Sequence, residues 1–187
     1  MHVTLRVKAH LPSLREGRFV REFRRSLAEA CERGAFRVNH YSLQGDHAHL
    51  IVEARGKEAL ACGMKSIAAR LARAVNRVAG RSGPVLDGRY HHRSLRSPRE
   101  VRRALAYVLL NARRHLAKRR HVSSTAASLV DPASSGRWFD GWRSGASVHV
   151  PVAVGAPEVA RPRTWLLRIG WRRHGLVDPT ELPTAAA

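Results

Sequence analysis

The sequence is poor in acid. Only 14 Asp and Glu stand against 34 Lys and Arg in 187 residues, a formal charge of +20 with a pI near 11.7. A surface of that sign disfavours cationic partners and points to nucleic acid. Lysine is scarce as well, 4 against 30 arginines. GC-rich coding enriches arginine, but the guanidinium fork also suits phosphate and base edges. Cysteine is nearly absent: Cys31 and Cys62 fall on separate predicted helices. With no CxxC pair, no zinc knuckle is encoded, and a reduced, cytoplasmic compartment is expected. No apolar run approaches the roughly 20 residues that span a bilayer, so no membrane partner is expected. Arg6, Lys8 and His10 interrupt the first residues, so no secretory leader is expected there.

What is present is unevenly placed. Residues 1–121 carry 27 basic and 9 acidic side chains, or +18, and residues 122–187 carry 7 and 5, or +2. The reading is a basic domain over 1–121, a polar linker over 122–136 and a partly ordered C-terminal extension over 137–187. All four tryptophans, Trp138, Trp142, Trp165 and Trp171, lie in that extension. A small hydrophobic core explains them better than a base-stacking platform.

Periodicity orders the basic domain. Val3, Leu5 and Val7 alternate with Thr4, Arg6 and Lys8 in a half-buried strand over 2–10. Phe19, Phe23, Leu27 and Ala30 recur at helical spacing over 17–33, with Arg18, Arg21, Arg24 and Arg25 as a solvated face. Residues 35–44 and 47–54 form a hairpin. A long helix follows over 57–79, then a strand over 85–96. Ser97-Pro98 with Glu100 opens a last helix running to about Arg119. The order β-α-β-β-α-β-α predicts an α+β, ferredoxin-like antiparallel sheet with one added helix.

The chemistry concentrates in His47-Ala48-His49. Residues two apart in a strand share a face, so both imidazoles lie side by side. Spacing alone favours two solvent-facing histidines; the last helix tips the balance. There Val101, Leu105, Val108, Leu109, Ala112 and Leu116 form the core arc. Tyr107 and Asn111, i and i+4, sit about 110–150° away from it, between Arg103 and Arg114. Two imidazoles and an amide oxygen can hold Mg²⁺ or Mn²⁺ with open positions. Such an ion polarises a phosphodiester, and a tyrosine one turn from a ligand can attack the phosphorus. Asp46 reads as a turn residue or a partner of His47, and Glu53 as a strand-end surface carboxylate. His91 and His92 point to opposite faces and cannot share one ion.

On these residues the chain resembles a known family. His47-Ala48-His49 is similar to the HUH motif of single-tyrosine transposases. Tyr107-Val108-Leu109-Leu110-Asn111 resembles the catalytic Tyr-Ile-x-x-Asn of the REP-associated tyrosine transposases, and Tyr90–Arg96 resembles their preceding strand. The resemblance covers roughly residues 1–121. It departs at Ala48, smaller than the usual residue, and at Ala112, where proline is common. It implies Tyr107 as the nucleophile, with His47, His49 and Asn111 as ligands of Mg²⁺ or Mn²⁺. Arg93, Arg96, Arg103, Arg114 and His92 are then the expected nucleic-acid contacts.

The function implied is metal-dependent cutting and rejoining of single-stranded or hairpin DNA, in a bacterial cytoplasm and at the nucleoid. The alternative is a domesticated, non-catalytic binder of hairpin DNA or RNA, which the basic surface alone would support. Exposed sheet edges and the resemblance together predict a homodimer. They leave open which subunit supplies the tyrosine helix.

Overall fold

The computed structural model describes residues 1–113, 130–144 and 155–183. Five strands, β1 (His2–Arg6), β2 (Glu32–Arg33), β3 (Phe36–Leu43), β4 (His47–Ala54) and β5 (His91–Arg93), form one antiparallel sheet in the order β2-β3-β4-β1-β5. Helix α2 (Gly56–Val78) connects β4 to β5 across β1, and α1 (Gly17–Ala28), followed by the short β2, leads from β1 to β3 across β4. That is the split β-α-β arrangement expected from the element order.

Strand alternation divides the packing into two layers. Val3, Leu5, Ala48, Leu50 and Val52 face α1 and α2, where they meet Phe19, Phe23, Leu27, Met64, Ile67 and Leu71. The helix α2 comes close at Gly63, where a Cβ would lie 2.1 Å from the Phe36 ring. The opposite face carries His2, Thr4, Arg6, His47, His49 and Ile51, as the register between β1 and β4 shows. There Ile51 joins a second core with Val101, Leu105, Val108 and Leu109 of α3 (Pro98–Leu109), and with Phe139, Leu167 and Trp171.

Several boundaries differ from expectation, each for a local reason. The first helix ends at Ala28, because Glu32–Arg33 turn about Gly34, at φ 53°, to pair with β3. The strand expected over 85–96 is broken at Gly88, φ 77°, so only His91–Arg93 join the sheet as a strand, with Leu86 bridging to Val7. A register shift between Val38 and His40 turns Tyr41 into the first core, beside Phe23, and His40 to the other face, beside Phe139. The last helix does have its capping box, Ser97 with Glu100, but ends at Leu109. Leu110 leaves helical geometry at φ −107° and ψ 12°, and helical backbone resumes at 111–113.

The expected linker and extension are packed on the domain wherever they are described. The Ser135 N–H donates to the Tyr41 carbonyl at 3.0 Å, the Leu43 N–H to Ala133 at 2.9 Å, and the Ala160 N–H to Val38 at 2.8 Å. These bonds cover much of the outer edge of β3, so among the described strands the free sheet edges are the three residues of β5 and the two of β2. Trp171 is buried against Phe139, whereas Trp165 stays half exposed under the Arg173 guanidinium. Among the described residues, no helix is long and apolar enough to cross a membrane.

Two buried polar groups tie this tail down. Glu53, expected at the surface, is buried and accepts from the Thr164 N–H at 2.7 Å, the Thr164 hydroxyl at 2.6 Å and the Arg163 N–H at 2.9 Å. The buried Glu158 carboxylate accepts from Arg137 at 2.8 Å, from the Tyr41 hydroxyl at 2.8 Å and from the Trp138 indole N–H at 2.5 Å. Arg24, expected on a solvated face, lies 3.7 Å from that carboxylate and donates to the Tyr41 oxygen. Glu158→Ala leaves two guanidiniums without their buried counter-charge. It should cost roughly 3–5 kcal/mol in urea unfolding, and a loss under about 1 kcal/mol would show the network to be superficial.

The buried His40 imidazole is held down to about 4 by desolvation, opposed only by the charge of Asp140. Its folded value is depressed below the unfolded 6.5, so the native state resists a proton that the unfolded chain takes. Stability is therefore full above about pH 6.5 and falls by roughly 3 kcal/mol as pH drops toward 4. Urea titrations at pH 7.5 and 4.5 read this directly. His40→Gln should flatten the difference, and an unchanged slope in that variant would assign the acid sensitivity elsewhere.

Candidate active site

The site is built by two paired strands and one helix. Register opposes Thr4 to His49, Arg6 to His47 and His2 to Ile51, which places His2, His47 and His49 on one face. The Nε2 atoms of His47 and His49 lie 3.1 Å apart, with the rings edge to face at 4.7 Å. The helix α3 crosses the same face and sets the Tyr107 ring 5.1 Å from His49 and 5.7 Å from His2, edge-on to both. All of these side chains come from one chain, so the tyrosine here is supplied by the same subunit as the histidines.

Each imidazole is held at its far nitrogen. His47 Nδ1 lies 2.6 Å from the Asp46 carboxylate, and that hydrogen bond holds the carboxyl below its ordinary range. An ionised carboxylate only accepts, so His47 carries its proton on Nδ1 and turns the Nε2 lone pair toward His49. His49 Nδ1 lies 3.1 Å from the Thr4 hydroxyl and 3.2 Å from His2 Nε2. Burial, and then the charge of Arg93, lower the His2 imidazole to about 4, so it is neutral at ordinary pH.

The donor set suits a divalent ion at the two Nε2 atoms. Two nitrogens about 2.1 Å from one ion at right angles lie roughly 3.0 Å apart, close to the 3.1 Å seen. Two facing lone pairs also repel unless a cation or a proton lies between them. Among the described residues, no group of three or more His, Cys, Asp and Glu side chains could hold a metal. Among the described residues, a further protein ligand would therefore be of another kind, such as an amide oxygen.

Asn111, expected beside Tyr107 away from the core arc of α3, is buried. The break at Leu110 interrupts the regular helix between Tyr107 and Asn111. Neither its Oδ1 nor its Nδ2 makes a hydrogen bond among the described residues. A buried, unpaired amide is costly, and its oxygen is of the type Mg²⁺ and Mn²⁺ accept.

The expected nucleic-acid contacts divide. Arg93 pairs with His2 in register and so belongs to the site face, and its Nε is buried without a partner among the described residues. Arg103 is exposed on α3, four residues before Tyr107, and Arg96 is exposed just ahead of that helix. His92 is corrected: it pairs with Val3, points to the opposite face and lies 6.0 Å from the Tyr90 ring, while His91 takes the site face opposite Thr4. Arg114 lies outside the described residues. Sequence reasoning passed over His2 and Thr4, although their alternation with Val3 and Leu5 marked them as one face.

The five-stranded antiparallel sheet thus carries paired histidines on one strand, with the Tyr107 helix across them. The sequence model of the IS200-like transposases matches residues 1–86, somewhat less than half of the chain. The match ends before α3, so Tyr107 and Asn111 fall outside it. A solved structure of a REP-associated tyrosine transposase bound to a REP hairpin shares the fold, with a TM-score of 0.56. It is 13% identical, and the alignment covers 87% of this chain and 92% of that one. Among curated protein sequences, none matches the chain closely.

Proposed function

We propose that the protein is a DNA strand transferase that cuts single-stranded or hairpin DNA through Tyr107. The observation that carries this reading is the approach of the Tyr107 ring to within 5.1 Å of His49, whose Nε2 faces that of His47. In the step proposed, a bond forms between the Tyr107 Oη and phosphorus as the phenol loses its proton. The bond from phosphorus to one deoxyribose oxygen breaks, and that oxygen takes a proton to leave as a hydroxyl. The phosphotyrosine keeps the ester's bond energy, so attack by another hydroxyl reverses the chemistry and rejoins a strand.

His47, His49 and Asn111 are the residues that would hold Mg²⁺ or Mn²⁺, which when bound supplies Lewis-acid polarisation of the phosphate. Asp46 and Thr4 orient the imidazoles. Arg93, Arg96 and Arg103 border the site and offer phosphate contacts, and Arg114 is proposed with them on sequence grounds. The hairpin in the related structure supports a folded single strand as the ligand. A homodimer would bring two such sites to two ends of one element.

A second reading, a hairpin binder without cleavage, is favoured by one observation: the Asn111 amide makes no hydrogen bond to either histidine. An end-labelled single strand carrying a hairpin separates the two. With Mg²⁺ or Mn²⁺, a transferase leaves label covalently on the protein in a denaturing gel. Tight binding with no adduct under either ion would establish the second reading.

A further inference from the structure

The face that carries His47 and His49 holds a third imidazole, which the proposed reaction leaves without a part. His2 Nε2 is 3.2 Å from His49 Nδ1, the two rings are 5.1 Å apart, and the His2 ring also stands edge-on to Tyr107 at 5.7 Å. The two putting-in-place contacts of the paired histidines are therefore unlike. His47 is held by a carboxylate, which only accepts, and is confined to one tautomer. His49 is held by an imidazole and a hydroxyl, each of which donates or accepts. A ring nitrogen binds an ion only through its lone pair, so the other nitrogen must carry the proton and something must accept it.

We propose that His2 is a positioning residue whose Nε2 accepts the Nδ1–H of His49, fixing that ring's tautomer and rotation so that Nε2 faces His47. It does not touch the reacting atoms. The neighbouring Thr4 hydroxyl shares the contact, which makes the loss of His2 a partial one. The inference rests on the metal-assisted reading above for its purpose, but the contact itself is testable without it.

Two substitutions separate geometry from bulk. Glutamine places its terminal amide where Nε2 lies, whereas asparagine reaches only as far as Nδ1. Long-range ¹H–¹⁵N NMR of the full chain reads the His49 tautomer directly, and calorimetry with MnCl₂ alone reads ion affinity. In the wild type with saturating MgCl₂, where the ion separates the two Nε2 lone pairs, His49 should show the Nδ1–H tautomer. His2→Asn should show a mixture and bind Mn²⁺ on the order of 10-fold more weakly, while His2→Gln should keep the wild-type tautomer and most of the affinity. Thermal melting of both variants checks the fold.

The proposal is overturned if His2→Asn keeps the wild-type tautomer and affinity, or if a folded His2→Gln loses both as fully as His2→Asn. If the wild type binds no Mn²⁺ yet His2→Asn still mixes the His49 tautomers, the metal reading fails and the positioning role stands.

Discussion

Tyr107→Phe should abolish the covalent adduct, by on the order of 10⁴-fold or more, while hairpin affinity changes little. The substitution deletes one oxygen and keeps the ring that packs edge-on against His49 and His2. The architecture of the face is preserved, so any loss reflects the missing nucleophile. Among the described residues the neighbouring hydroxyl, Thr4, is engaged with His49 Nδ1 at 3.1 Å and is no substitute. Denaturing gels with end-labelled hairpin DNA measure the adduct, and gel shifts at fixed salt measure binding. An adduct formed at the wild-type rate by the variant would remove Tyr107 from the mechanism and send the search to another residue.

His47→Ala should separate binding from cleavage. One of the two facing Nε2 atoms disappears, and with it the Asp46 contact that orients the ring. Adduct yield should fall on the order of 10²-fold or more, and calorimetric Mn²⁺ binding should be lost with it. Hairpin affinity should hold, because nucleic-acid binding depends on the arginine surface and the formal charge stays at +20 with histidine neutral. The two measurements belong side by side at one salt concentration. If affinity fell as steeply as cleavage in a variant that melts like the wild type, His47 would be a DNA contact or a structural residue, and the metal assignment would be wrong.

Some of this was legible in the residues alone, because it depends on local pattern. Alternation in Val3-Leu5-Val7 and in His47-Ala48-His49 sets which side chains share a face, whatever the strand pairs with. The 3.6-residue period set the core side of α3, and the Ser97–Glu100 capping box set where that helix starts. Composition, with 34 basic side chains, pointed to a polyanionic partner without any fold.

The remainder depends on contacts between distant segments, and only the tertiary structure decided it. Register between β1 and β4 brought His2 and Thr4 to His49, 47 and 45 residues away, where strand period alone names no partner. Asn111 lies buried past the break at Leu110, where helix period, which assumes an unbroken helix, no longer places it. The parity rule for His91 and His92 said they face apart, but only pairing with β1 showed which one shares the site face. Glu53 and Glu158 read as surface carboxylates or went unremarked, since a buried acid is recognisable only by donors that arrive from more than 100 residues along the chain, or from 20 residues across a loop. Local sequence fixes direction and period; long-range pairing chooses among the faces those leave equivalent, and here that choice assembled the site.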